Sequence, residues 1–248
     1  MRSPKRTARI AGLLYLLGGI TAPFSLLYLP KALIVPGDPI ATANKVRASE
    51  LLLRIGIVCD LSTAIIFIFV ALTLYRLLKD VDHQQAVLMV ILWLVTVPIT
   101  FVNALNRLAA LMLVTGADFL SGFAQGQREG MAMLFLRLYN QGNIVNQIFW
   151  GLWLVPLGIL IFKSGFIPRI LGVLLIIGAF GYVASSTTTL LSPHYGRLIS
   201  GWLMVLPALG ELPMIFWLLV KGVSGAAGSQ PAGNPPEKSR RAESPLLH

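Results

Sequence analysis

The sequence predicts an all-α polytopic integral membrane protein, a bundle of six transmembrane helices with both termini cytoplasmic. Three observations predict it. Hydrophobic residues make up 56 % of the 248-residue chain and charged residues 12 %, against about 25 % charged in an ordinary soluble domain. The apolar residues fall into six runs, each near or above the roughly 20 residues that carry a helix across about 30 Å of hydrocarbon. Basic residues gather at alternate ends of those runs, which sets an orientation.

Residues 1–8 form a basic N-terminus, and the first span follows at about 9–29. The apolar run continues past Phe24 without a clear cleavage site, so it reads as a retained helix rather than a signal peptide. The remaining spans are expected at about 50–78, 85–114, 137–162, 169–190 and 198–220. Arg6 and Arg9, Arg76 and Lys79, Lys163 and Arg169, and Lys221 and Lys238 then share one side, which the positive-inside rule makes cytoplasmic. Lys45 and Arg47 run against that bias in the first outer loop. Residues 221–248 are rich in Gly, Pro, Ser and charge and read as a disordered cytoplasmic tail.

The net charge of +10 needs no nucleic acid, because no base-reading motif accompanies it. Its expected partners are the bilayer and anionic lipid at the cytoplasmic face. Cys59 is the single cysteine. It reads as a small buried hydrophobe, and no spacing suggests a metal site. No cofactor is expected.

Polar residues inside the spans carry the functional question. In the second span Glu50 and Arg54 are four apart and share a helical face at the outer boundary, where they are expected to pair. Asp60 lies about 15 Å further along, near mid-bilayer. A carboxylate there costs on the order of 3 kcal/mol on insertion scales. It is either a structural anchor between helices or part of a ligand, ion or proton site.

Asn103 and Arg107 are four apart in the third span. Arg107 reads as a boundary residue or as a member of a network with Asn103 and Asn106. Asn140, Asn143 and Gln147 form a stripe at helical spacing in the fourth span. Such amides bridge helices or line a cavity. Glu211 stands between Pro207 and Pro213 in the sixth span, where two prolines free backbone carbonyls. That arrangement suits a transport site or a contact with a cytoplasmic base. Together, Asp60, Asn103, Arg107, Asn143 and Gln147 suggest one outward-opening polar core.

Four stretches, Leu53–Leu61, Leu74–Leu78, Phe149–Gly158 and Lys163–Gly172, carry a resemblance. The sequence resembles a bacterial family of multi-pass membrane proteins that share a domain of unknown function, DUF4386. The resemblance covers about residues 7–220, with Arg54, Asp60, Arg76, Trp153, Pro156, Gly165 and Pro168 matching. It implies six spans and a bacterial cytoplasmic membrane, and it supplies no activity.

Three functions are weighed. The first is binding or transport of a small molecule, ion or lipid through the polar core. The second is an accessory or structural role, with the polar residues as glue. The third is a lipid-modifying enzyme, for which no HExxH, GxSxG or phosphate loop is present. The balance leans away from an enzyme.

Overall fold

The computed structural model describes residues 4–222. The tail expected to be disordered falls, from residue 223 onward, outside the described residues, as do Met1, Arg2 and Ser3. The described residues form an all-helical bundle. Six helices are long and apolar enough to cross a membrane: Lys5–Leu33, Glu50–Leu78, His83–Thr115, Gln125–Ser164, Arg169–Leu191 and Pro193–Val220. They are the first to sixth spans below. Spans adjacent in the chain pack side by side, and the first closes the ring against the sixth.

Many large apolar side chains on these helices stay exposed, among them Val58, Phe69, Val102, Phe180 and Phe216. A surface of that kind is what a lipid-facing bundle presents. Inside, Tyr15, Phe67, Trp93 and Trp153 interlock, with Phe67 and Trp93 ring centroids 4.6 Å apart. A smaller apolar cluster, including Leu29, Val46, Leu53 and Leu136, sits at the end of the bundle away from the termini. That end is called the far end here.

Proline interrupts two of the spans by removing an N–H four residues after a carbonyl. The fourth span breaks at Trp153, between Gln125–Leu152 and Leu154–Ser164, where Pro156 cannot bond back to Leu152. The sixth breaks at Met204, between Pro193–Leu203 and Val205–Val220, for the same reason at Pro207. Pro98 and Pro213 lie within continuous helices. The first span carries a π turn at Phe24–Tyr28.

Several helices extend beyond the limits that hydropathy suggests. The fourth begins at Gln125, not near residue 137, because hydrogen bonding rather than apolarity ends a helix. Its start is fixed by the Gln127 side chain, which accepts from the Ala124 N–H at 3.0 Å. A separate helix, Pro39–Ala48, occupies the first far-end loop and is capped by Asp38.

Two glycines permit a close crossing. A Cβ on Gly158 would stand 2.7 Å from the Gly172 carbonyl, and one on Gly172 would stand 2.5 Å from the Gly158 carbonyl. The fourth and fifth spans therefore touch backbone to backbone, as small-residue membrane contacts do.

Candidate functional site: a buried ion pair beneath a far-end cavity

The site begins with an irregularity in the first span. The Leu29 N–H bonds to the Phe24 carbonyl, the spacing of a π turn. The same spacing would assign the Ser25 carbonyl to residue 30, which is Pro30 and has no N–H. The carbonyl is left for a partner outside the helix. Arg107 of the third span supplies it, with Nη2 donating at 2.8 Å.

Around that contact four spans meet. Arg107 Nη1 donates to Asp60 Oδ2 at 2.8 Å and to Ser25 Oγ at 2.6 Å. Ser25 Oγ donates to Asp60 Oδ1 at 2.5 Å, and the Tyr139 hydroxyl donates to Asp60 Oδ2 at 2.8 Å. The guanidinium also lies over the Tyr139 ring, 3.7 Å from its centroid. Both Asp60 oxygens are thus occupied. Arg107 and Asp60 are 2 % and 6 % exposed, so this is a desolvated pair whose geometry must offset a large solvation loss.

Two glycines make room for it. At Gly56 a Cβ would collide with the Leu29 side chain and stand 3.3 Å from Arg107 Nη1. At Gly142 a Cβ would collide with the Asn103 amide. Asn103 Nδ2 donates to the Tyr139 carbonyl at 2.9 Å and to Asn143 Oδ1 at 3.1 Å. Asn106 donates to Asn103 at 3.1 Å. The amides extend the ion pair into a network across the third and fourth spans.

A cavity of about 660 Å³ lies at the far end, and Arg107 and Tyr139 form part of its lining. The first, second, third, fourth, fifth and sixth spans all contribute to it, through residues such as Leu33, Leu53, Arg107, Asn140, Thr189 and Arg197.

The polar residues of the sequence are therefore distributed as follows. Asp60, Arg107, Asn103 and Asn143 come together. Asn140 is exposed and lines the cavity instead of joining the network. Gln147 is half-buried and makes no hydrogen bond among the described residues, while its buried neighbour Asn146 donates to Thr100 Oγ1 at 3.0 Å. Glu50 and Arg54 pair on the surface at 2.6 Å. Glu211 belongs to a different cluster, where Tyr15 and Tyr182 donate to its two oxygens at 2.7 and 3.0 Å. No base contacts it among the described residues.

Ser25, Tyr139, Tyr15 and Tyr182 escaped sequence reasoning. Tyr139 lay in view, four residues before Asn143. Ser25 had a weaker signal, a hydroxyl five residues before a proline inside an apolar run. Among the described residues no three His, Cys, Asp or Glu side chains gather as a metal site.

Comparison with known proteins identifies the family. An uncharacterised protein of Archaeoglobus fulgidus is 36 % identical over 75 residues, covering 30 % of this chain and 43 % of that relative. This chain thus matches less than half of that relative's length. No solved structure matches the chain. The profile of the family described as a domain of unknown function, DUF4386, matches residues 10–222, most of the chain. With its six apolar helices in a ring, the chain belongs to the DUF4386 family.

Proposed function

We propose that the protein binds a small molecule or lipid in the far-end cavity, and that the Asp60–Arg107 network fixes the spans that form its floor. We place it in a bacterial cytoplasmic membrane with the termini inside and the cavity opening outward. The basic residues flanking the short loops at the terminal end, Arg76, Lys79, Lys163 and Arg169, support that orientation. The observation that carries the reading is the cavity itself. Its volume of about 660 Å³ falls within the range of about 300–1,000 Å³ typical of ligand sites, and it reaches a buried guanidinium.

One observation favours a second reading. Ser25, Arg107 and Tyr139 already occupy both Asp60 oxygens, and a carboxylate satisfied in this way suits a structural clasp. Thermal unfolding in detergent separates the two. A panel of lipids, ions and metabolites is tested on the wild type and on Asn140→Trp, which narrows the cavity. The binding reading expects at least one compound class to stabilise the wild type and not the variant. A wild type that nothing in the panel stabilises would leave the structural reading in its place.

A further inference from the structure

The cavity lining is unequal in charge. Lys31, Arg137 and Arg197 line it, and no aspartate or glutamate does. All three are exposed, and none has an ion pair or hydrogen bond among the described residues. Of the other far-end bases, Arg47 lies 3.7 Å from Glu129 and Arg54 lies 2.6 Å from Glu50, while Lys45 and Arg128 have no acidic partner among the described residues and do not line the cavity. Arg107, at the floor, already has Asp60. Three far-end bases without an acidic partner among the described residues therefore surround one opening, on three different spans.

The wall has the opposite character. Leu29, Leu33, Leu53 and Leu136 line the same cavity. A cationic rim over an apolar wall fits a ligand with an anionic head and a hydrocarbon body. Three bases on three spans favour a phosphate, whose several oxygens can accept from all of them at once. A carboxylate offers only two oxygens. Arginine also pairs with phosphate in a two-bond fork.

We infer that the cavity binds a phosphate-bearing anionic amphiphile, its head held by Lys31, Arg137 and Arg197 and its chain laid along Leu29, Leu33 and Leu53. This inference rests on the binding reading above and adds the ligand's chemistry. It concerns the far end, opposite the basic flanks expected to meet anionic lipid on the cytoplasmic side.

The test uses the full chain in an uncharged detergent, with affinity read by native mass spectrometry. The probes are dihexanoyl phosphatidic acid, hexyl phosphate and dihexanoyl phosphatidylcholine. The proteins are wild type, Arg137→Gln/Arg197→Gln, Asn140→Trp, and Lys45→Gln as an exposed control that does not line the cavity. Phosphatidic acid is expected to bind the wild type and the control equally, and the double variant about tenfold or more weakly. Added salt should weaken that binding in the wild type.

Binding of both anionic probes identifies any phosphate amphiphile as a ligand. Binding of phosphatidic acid alone identifies a two-chain membrane lipid. Equal affinity of phosphatidic acid for wild type and double variant overturns the inference, as does equal affinity of the wild type for phosphatidylcholine. If phosphatidylcholine occupies the wild type and is excluded by Asn140→Trp, the cavity still binds and only the head-group chemistry is wrong. If no probe binds and the thermal panel is also flat, both the inference and the binding reading fall.

Discussion

Arg107 Nη1 lies 2.8 Å from Asp60 Oδ2, joining the third span to the second inside a bundle whose outer surface is largely hydrocarbon. Both side chains are almost wholly buried. The pair is held by Ser25 from the first span and Tyr139 from the fourth. Four of the six spans are therefore tied at one level.

That arrangement predicts strong non-additivity. Asp60→Leu leaves the Arg107 guanidinium buried without its counter-charge, and Arg107→Leu does the reverse. Each single change should cost about 3–5 kcal/mol. The double variant removes both charges and should be less destabilised than the sum of the two. Denaturant unfolding in mixed micelles measures all three, and simple additivity would mean that the charges do not interact.

Tyr139 has two separable roles, an edge hydroxyl on Asp60 and a ring beneath Arg107. Tyr139→Phe removes only the first and should cost about 1.5–3 kcal/mol, the range for a hydrogen bond to a charged group. Tyr139→Leu removes both and should cost more. Equal losses would show that the ring contributes nothing to holding the guanidinium.

The closeness of Gly158 and Gly172 predicts a steric failure. Each position faces the other's carbonyl, and backbone cannot move aside as a flexible side chain can. Gly158→Val should lower stability by about 1–3 kcal/mol. Gly122→Val should not, because a Cβ at Gly122 meets nothing within 4 Å. Matched unfolding temperatures for the two variants would contradict the close crossing.

At the terminal end, Lys163 donates to Asp82 at 2.8 Å while Asp82 caps the third span through Gln85. The lysine bond, aided by the backbone N–H, holds the Asp82 carboxyl below its ordinary pKa. A depressed folded value means that the contribution is complete above the unfolded pKa of about 3.9 and disappears as pH falls through the folded one. Asp82→Asn retains a capping side chain. The difference in melting temperature between wild type and Asp82→Asn should therefore be flat from mildly acidic to neutral pH and shrink below about pH 4. A difference that grows on acidification would reverse the assigned sign.

Membrane class and span number were legible because hydropathy over about 20 residues is a local property that needs no tertiary information. Asp60 and Arg107 were legible as residues needing partners, since an ionisable group inside an apolar run is costly wherever it points. They were grouped in one polar core, but the ion pair itself was not legible, because nothing local says that the second and third spans align at that level. The amide stripe split for a similar reason. Asn140, Asn143 and Gln147 share a face by spacing, yet only Asn143 meets Asn103, while Asn140 turns to the cavity. Glu211 attracted attention for its flanking prolines, but its partners are tyrosines on the first and fifth spans. The Ser25 carbonyl depends on a π turn meeting a proline, a coincidence that periodicity does not report.

The central claim is a cavity at the far end, open to the outside, above a closed ion pair. Its most direct test is a single cysteine at Asn140 in a Cys59→Ala background, treated with a membrane-impermeant maleimide on intact cells. Met89→Cys, fully buried in the core, serves as the control. The account predicts that Asn140→Cys is labelled from outside and Met89→Cys is not. If Asn140→Cys reacts only after the membrane is opened, or not at all, the outward-facing cavity is contradicted.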